Sequence, residues 1–156
     1  MKFLHQNLKL RFVLITNKKS NLIKLIKLYN LNEYFLVESG ISETNKIYPA
    51  FDINTLSSAF GEGFPNVLAE GMSCEVPTIA TDIGDSKEII NNNQLIAPPK
   101  DPNALANCWM RLYNISSSER ALIGREQRDR IVNHFSKDIM IKKSEQLYTN
   151  YISKCK

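Results

Sequence analysis

The chain of 156 residues has little of several things that would point to a particular chemistry. It has three cysteines, Cys74, Cys108 and Cys155, far apart and in no CxxC pair, and two histidines, His5 and His134. An odd, scattered set of this kind excludes a disulfide framework and an evident zinc site, and it suits a reducing cytoplasm. Cys74 and Cys108 fall in apolar helical patterns and read as small buried hydrophobes rather than reactive thiols. Long hydrophobic runs are missing too: Lys or Asn interrupts each within a few residues, well short of the roughly 20 needed to span a bilayer. The opening MKFLHQNLKLRF lacks the apolar core and cleavage site of a signal peptide. The expected protein is soluble and cytoplasmic.

Charge of one sign is not concentrated anywhere. The net charge of +4 comes from 20 basic residues interspersed among 16 acids, which argues against nucleic acid as a partner. It leaves room for an anionic small molecule, or for weak peripheral contact with the inner face of an acidic membrane. No G-x-G-x-x-G follows the first strand candidate, where Thr16-Asn17-Lys18-Lys19 stands instead, so a dinucleotide enzyme is disfavoured. No internal repeat or low-complexity segment is visible.

What is present is an alternation. Arg11–Thr16 is a short β-rich run, and Asn21–Tyr29 follows with Leu22, Leu25, Ile26 and Tyr29 at helical spacing. Further strand candidates are Tyr34–Val37, Phe51–Leu56, Pro77–Ala80 and Gln94–Ala97, each followed by turn residues and then a helical pattern. About five strands alternating with helices imply an α/β fold, a Rossmann-like parallel sheet with flanking helices, within one domain spanning 1–156. The last third, Asp101–Asn114, Ser117–Asn133 and Ser136–Ile152, is a helical tail expected to pack on the sheet, with Asp101, Ser117 and Ser136 as caps. The final helix is basic and amphipathic, and it is expected to pack rather than to bind a membrane.

Ligands of open α/β sheets bind at the carboxyl ends of strands, and the segment after the third strand, Phe60–Thr81, is where chemistry is expected. Gly61 and Gly63 bracket Glu62 and permit a tight turn. Phe64 and Pro65 start a helix, with Pro65 in its first turn. The N–H groups of Asn66, Val67 and Leu68 would then form an anion site suited to phosphate, made without Lys or Arg. Glu70 shares a helix face with Asn66, and lies a rise of roughly 7.5 Å beyond Pro65. A carboxylate aimed at the phosphate would be repelled, so its sensible target is a neutral diol such as a ribose. By the same logic Glu62 faces a hydroxyl-rich group on the other side, such as a hexose. Leu68 and Met72 pair at i,i+4, and Gly71 permits the helix to dock closely on the sheet.

Together these residues resemble the Glu, seven residues, Glu signature of family 4 retaining glycosyltransferases, in the form EGFPNVLAEGMSCEVPTIATDIG. The likeness continues through RFVLIT, YPAFDINTLSS, TDIGDSKEII, LIAPPKDPNALA and NHFSKDIMIKKSEQLY. It implies the C-terminal, nucleotide-sugar-binding half of a GT-B fold. The chain would lack the N-terminal domain that carries the glycan or lipid-linked acceptor. The resemblance implies that Glu62 contacts the donor sugar and is the catalytic position. Glu70 would hold the ribose, and the backbone of Gly63, Phe64, Pro65, Asn66, Val67 and Leu68 would line the sugar and diphosphate. The base would rest near Glu38–Ile41, and Lys18 and Lys19 are candidates to neutralise the diphosphate. The resemblance implies transfer without a metal or other cofactor, with which the absence of an Asp-x-Asp motif agrees. Glu75 stands where the family usually has Gly, Asp85-Ser86 replaces a common Gly-Gly, and Asn91-Asn92-Asn93 replaces a Gly-containing turn, for which Asn is suited. The alternative is a catalytically inactive fragment or nucleotide-binding module.

Overall fold

The computed structural model describes residues 10–16 and 19–154. His5, Lys18 and Cys155 lie outside them. The chain divides into two compact units, Met1–Thr44 and Asn45–Lys156. In the first, β1 (Phe12–Ile15), α1 (Lys19–Leu28) and β2 (Phe35–Glu38) form a strand–helix–strand unit. The strands pair in parallel from Phe12↔Phe35 to Ile15↔Glu38, and the Phe12 and Phe35 rings stack at 4.9 Å. Parallel partners need a crossover, which α1 supplies. Asn30 stops α1 in the left-handed region at φ 56°, its N–H bonding Lys27 O while the Leu31 N–H reaches Ile26 O.

α2 (Thr44–Ile47) starts on the last residue of the first unit, and the second unit continues with a 3₁₀ turn at Tyr48–Ala50, neither of them expected. It continues through β3 (Asn54–Leu56), α3 (Asn66–Ser73), β4 (Thr78–Thr81), α4 (Ser86–Ile90) and β5 (Ile96–Ala97). The helices α5 (Pro102–Asn114), α6 (Ser117–Phe135) and α7 (Lys137–Lys154) close the chain. The parallel order is β3-β4-β5. The five expected strands are thus present, in a two-stranded and a three-stranded parallel sheet. β3 is shorter than expected: Phe51 closes the 3₁₀ turn with its N–H on the Tyr48 carbonyl, and pairing with β4 begins only at Asn54. Gln94 likewise belongs to a 3₁₀ turn ahead of β5.

All four residues of β4 are buried, as befits a central parallel strand covered on both faces. Leu68 and Met72 of α3, Ile79 and Ala80 of β4, Ile89 of α4, and Leu105, Cys108 and Leu112 of α5 share one core with Ile131 of α6. Burial pushes the Cys108 thiol up from its ordinary value, which suits the inert role expected of it. Cys74 differs from expectation: it caps the end of α3 and is only half-buried.

α6 joins β4, α3, α4 and α5. Gln127 lies 49 residues from Thr78, yet its side chain accepts from the Thr78 N–H at 2.7 Å and donates to the Thr78 carbonyl at 2.9 Å. β5 pairs only with Ala80 and Thr81, so at Thr78 the buried amide takes the place of a missing strand and leaves no backbone group orphaned. Three arginines of α6 reach helix carboxyl ends, where carbonyls lack intrahelical partners and a positive charge is favoured. Arg120 donates to Leu112 O and Ile115 O at the end of α5, Arg128 to Ser73 O of α3, and Arg130 to Glu88 O and Ile89 O of α4. Gly124 is pressed against the Glu75 carbonyl, leaving no space for a Cβ.

Two expectations about the tail need correcting. Asp101 caps α5 through Asn103 N–H and Ala104 N–H as expected, but α6 is capped by Ser116 rather than Ser117. The reason is the capping box that Ser116 completes with Glu119. α7, expected to pack, has no buried residue: Met140, Leu147, Tyr148, Tyr151 and Ile152 are all exposed. Among the described residues, no helix is long and apolar enough to cross a membrane.

Candidate functional site at the start of α3

The loops that follow β3 and β4 meet at the carboxyl end of the three-stranded sheet. Thr81, the last residue of β4, donates its hydroxyl to the Ser58 carbonyl at 2.6 Å. Ser58 in turn donates its own hydroxyl to Glu62 Oε1 at 2.6 Å. The Asp85 N–H bonds the Gly63 carbonyl at 3.0 Å. Gly84 makes that approach possible: it adopts φ +56°, and a Cβ there would collide with Gly63 O and stand 2.6 Å from Glu62 O. The glycine required for the close approach thus lies after β4, and it fixes the backbone that carries Glu62.

The glycines beside Glu62 therefore have roles other than those expected. Gly61 does occupy the left-handed region, at φ 85°. Gly63 does not, and a Cβ on it would meet open space. What Gly63 contributes is its carbonyl, held by Asp85. The Asp85-Ser86 pair is accommodated without strain because Gly84 takes the left-handed turn, while the buried Ser86 hydroxyl donates to Ile83 O at 2.6 Å.

The start of α3 also differs in detail. Pro65 is the cap rather than the first helical residue, with φ −77° and ψ 103°, and it is buried. Its missing N–H lies where no helical bond is made. The Leu68 N–H, expected to face a ligand, bonds the Pro65 carbonyl at 3.0 Å instead. The anion-facing backbone therefore contracts to Asn66 and Val67, both exposed first-turn residues. Their N–H groups have no carbonyl one turn back, and no side chain caps the helix. Leu68 serves the core, fully buried with Met72 as expected.

α3 docks as closely as Gly71 predicts. A Cβ at Gly71 would collide with the Asn54 side chain, 2.8 Å from its Cγ, so glycine leaves room for that amide between α3 and β3. Asn54 uses that proximity to donate Nδ2 to the Val67 carbonyl at 3.0 Å, fixing the first turn of α3 to the sheet. Glu70, one turn further, is exposed and meets a residue that sequence reading missed. Tyr48 is 5% exposed, and its hydroxyl lies 3.2 Å from Glu70 Oε2. Burial, and then the charge of Glu70, push the Tyr48 phenol well above its ordinary range, so it remains a donor.

Glu62, Gly63, Pro65, Asn66, Val67 and Glu70 are therefore gathered around one loop–helix junction, within the second unit. Phe64 points elsewhere, its ring packing on that of Phe135 of α6 at 5.6 Å, and Arg130 lies over the Phe135 ring. Lys19 starts α1 and pairs with Glu38 at 3.7 Å in the first unit, rather than standing in a loop. The Glu38–Ile41 stretch lies at the carboxyl end of β2. The residues that reading the sequence missed are Tyr48, Asn54, Ser58, Thr81 and Gly84. All five lie within YPAFDINTLSS and TDIG, but nothing in the spacing of those segments distinguishes a partner from a bystander.

Comparison with known proteins gives a consistent result. Residues 1–114 match the family model described as Glycosyl transferases group 1. The capsular polysaccharide biosynthesis glycosyltransferase CapM of Staphylococcus aureus is 32% identical over 93 residues, 58% of this chain and 24% of that protein. The exopolysaccharide phosphotransferase SCO2592 of Streptomyces coelicolor is 32% identical over 105 residues, 65% of this chain and 11% of its own length. The chain therefore spans about a quarter or less of these relatives. Among solved structures, a glycosyltransferase of Rickettsia africae superposes with a TM-score of 0.83 at 23% identity, over 95% of this chain and 41% of that one. The C-terminal domain of the group 1 glycosyl transferase LpcC of Francisella tularensis gives 0.64 at 26% identity, over 76% and 63%. TarM of Staphylococcus aureus, in a complex containing UDP, gives 0.73 at 22% identity, over 88% and 29%. The architecture is that of half a GT-B fold, and the chain belongs to the glycosyl transferases of group 1.

Proposed function

We propose that this chain is the C-terminal, donor-binding domain of a retaining glycosyltransferase of family 4. It takes a sugar from a nucleotide-diphosphate sugar for transfer to a glycan or lipid-linked acceptor, in the cytoplasm or at the inner face of the membrane. The Asn66 and Val67 N–H groups and the dipole of α3 receive the diphosphate. Glu70 accepts from the ribose hydroxyls, and Glu62, held by Ser58, faces the donor sugar as the catalytic position. Gly63, Phe64, Pro65 and Leu68 shape the backbone between them. Transfer with retention needs no metal in this reading: the acceptor hydroxyl attacks the anomeric carbon on the face the phosphate leaves, and the leaving phosphate takes the proton.

The observation that supports this most is the pairing of an uncapped helix start with two carboxylates, each held by a hydroxyl, Ser58 to Glu62 and Tyr48 to Glu70. Calorimetry with UDP-, GDP- and ADP-sugars tests it. One of the three should bind, and Glu70→Ala should weaken it at least about tenfold, the worth of a hydrogen bond to a charged acceptor. Binding by none of them sinks the reading. A second reading is a binding module that turns nothing over alone. Glycosyl transfer by the isolated chain would exclude that alternative.

A further inference from the structure

We infer that Tyr48 is a positioning residue of the donor site, acting through Glu70 to set its preference for a ribose. The inference rests on the proposed role of Glu70 and adds to it a residue that no sequence signature marks. Tyr48 sits in the 3₁₀ turn before β3, 22 residues upstream of Glu70, and its ring is buried against the edge of Phe51 at 6.3 Å. Two acceptors lie near its hydroxyl: Glu70 Oε2 at 3.2 Å and the Val67 carbonyl at 3.5 Å. The hydroxyl has one proton to give. The carboxylate is both the nearer and the charged acceptor, so the Tyr48 proton belongs to it.

The chemistry gives that bond a purpose. An exposed glutamate on a helix samples several rotamers, and fixing a long side chain costs entropy when a ligand arrives. Here a rigid, buried phenol holds one carboxylate oxygen before any ligand binds. A carboxylate oxygen has two acceptor positions, so Oε2 can keep the phenol and still accept from a sugar hydroxyl. Ionisation of the phenol would turn attraction into repulsion, and burial prevents it. Asn54 fixes the Val67 end of the same helical turn, so the backbone that faces the phosphate and the carboxylate that faces the diol are both held from beneath.

The test compares UDP, GDP and ADP with their 2′,3′-dideoxy counterparts, by calorimetry on the full chain. Variants are Tyr48→Phe, Glu70→Gln and both together. In the wild type the ribose form should bind tighter, and Glu70→Gln should bring the two forms near parity. Tyr48→Phe should cut the preference about tenfold and add nothing in the Glu70→Gln background. A Tyr48→Phe chain with the wild-type ratio overturns the inference, as does an equal loss for both forms, which would mean the phenol only supports the fold. A ratio unchanged by Glu70→Gln, or no binding at all, overturns the donor-site reading itself, and the inference with it. Should Tyr48→Phe not fold, the ¹³C shift of Tyr48 Cζ is read in wild type and Glu70→Gln. It must move, and an unmoved shift overturns the inference.

Discussion

Glu75 stands at φ 61°, one residue beyond the cap of α3, with its N–H on Met72 O and the Val76 N–H on Gly71 O. That is the two-bond helix stop in which glycine is usual, and Glu75 is the departure from the family pattern that the sequence makes plain. A side chain in this region costs about 1 kcal/mol, partly offset by the freer unfolded chain that glycine brings and by the half-exposed Arg128 ion pair at 3.7 Å, of small worth. Glu75→Gly should therefore raise stability by about 0.5 kcal/mol, while Glu75→Ala, which keeps the Cβ and loses the pair, should not. Thermal unfolding of the two variants decides it. Tyr48 carries a pH prediction. Its folded pKa is raised, so the neutral phenol's contribution is complete below the unfolded value of about 10 and is lost as pH rises past it. Wild type should lose stability in alkali more steeply than Tyr48→Phe, as followed by denaturant midpoints from pH 8 to 11. Of these residues the sequence displays Glu75, because a missing glycine in a turn is a local fact. It hides Tyr48, whose meaning depends on a carboxylate brought to it by the fold.

Among the elements, α6 is the clearest case of structure that composition conceals. Its length and its start near Ser117 are readable from spacing, and so are the five strands, as short β-rich runs bounded by turn residues. That Gln127 stands in for a strand is not readable, since a glutamine in a helix ordinarily faces water. Replacing it with Met keeps the volume and leaves the buried Thr78 N–H and carbonyl without partners. The expected loss is about 3 kcal/mol, measured by urea unfolding. Gln127→Glu should be as harmful, since a carboxylate facing the Thr78 carbonyl cannot donate. The same limit explains the miss at the start of α3. A proline after a glycine-rich stretch marks a helix start, but whether it is the cap or the first turn depends on the Pro65 ψ of 103°, which the loop after β4 helps to fix through Gly63.

For the whole molecule, the fold class is legible in the sequence and the division into two compact units is not. Alternating strands and helices report a parallel α/β architecture, but contacts within units depend on packing that no single segment contains. The candidate site is legible where it is built from one stretch, Glu62 to Glu70, and opaque where loops after different strands converge, as Thr81, Gly84 and Asp85 do on Ser58, Glu62 and Gly63. Whether a nucleotide diphosphate binds at this convergence can be read from a ¹⁵N–¹H amide map of the chain titrated with UDP, GDP and ADP. If it does, one of them shifts the amides of Gly61, Glu62, Gly63, Asn66, Val67 and Asp85 together, while those in the middle of α5 remain in place. Saturating shifts confined to other residues, or none with any of the three, would contradict the proposed donor site.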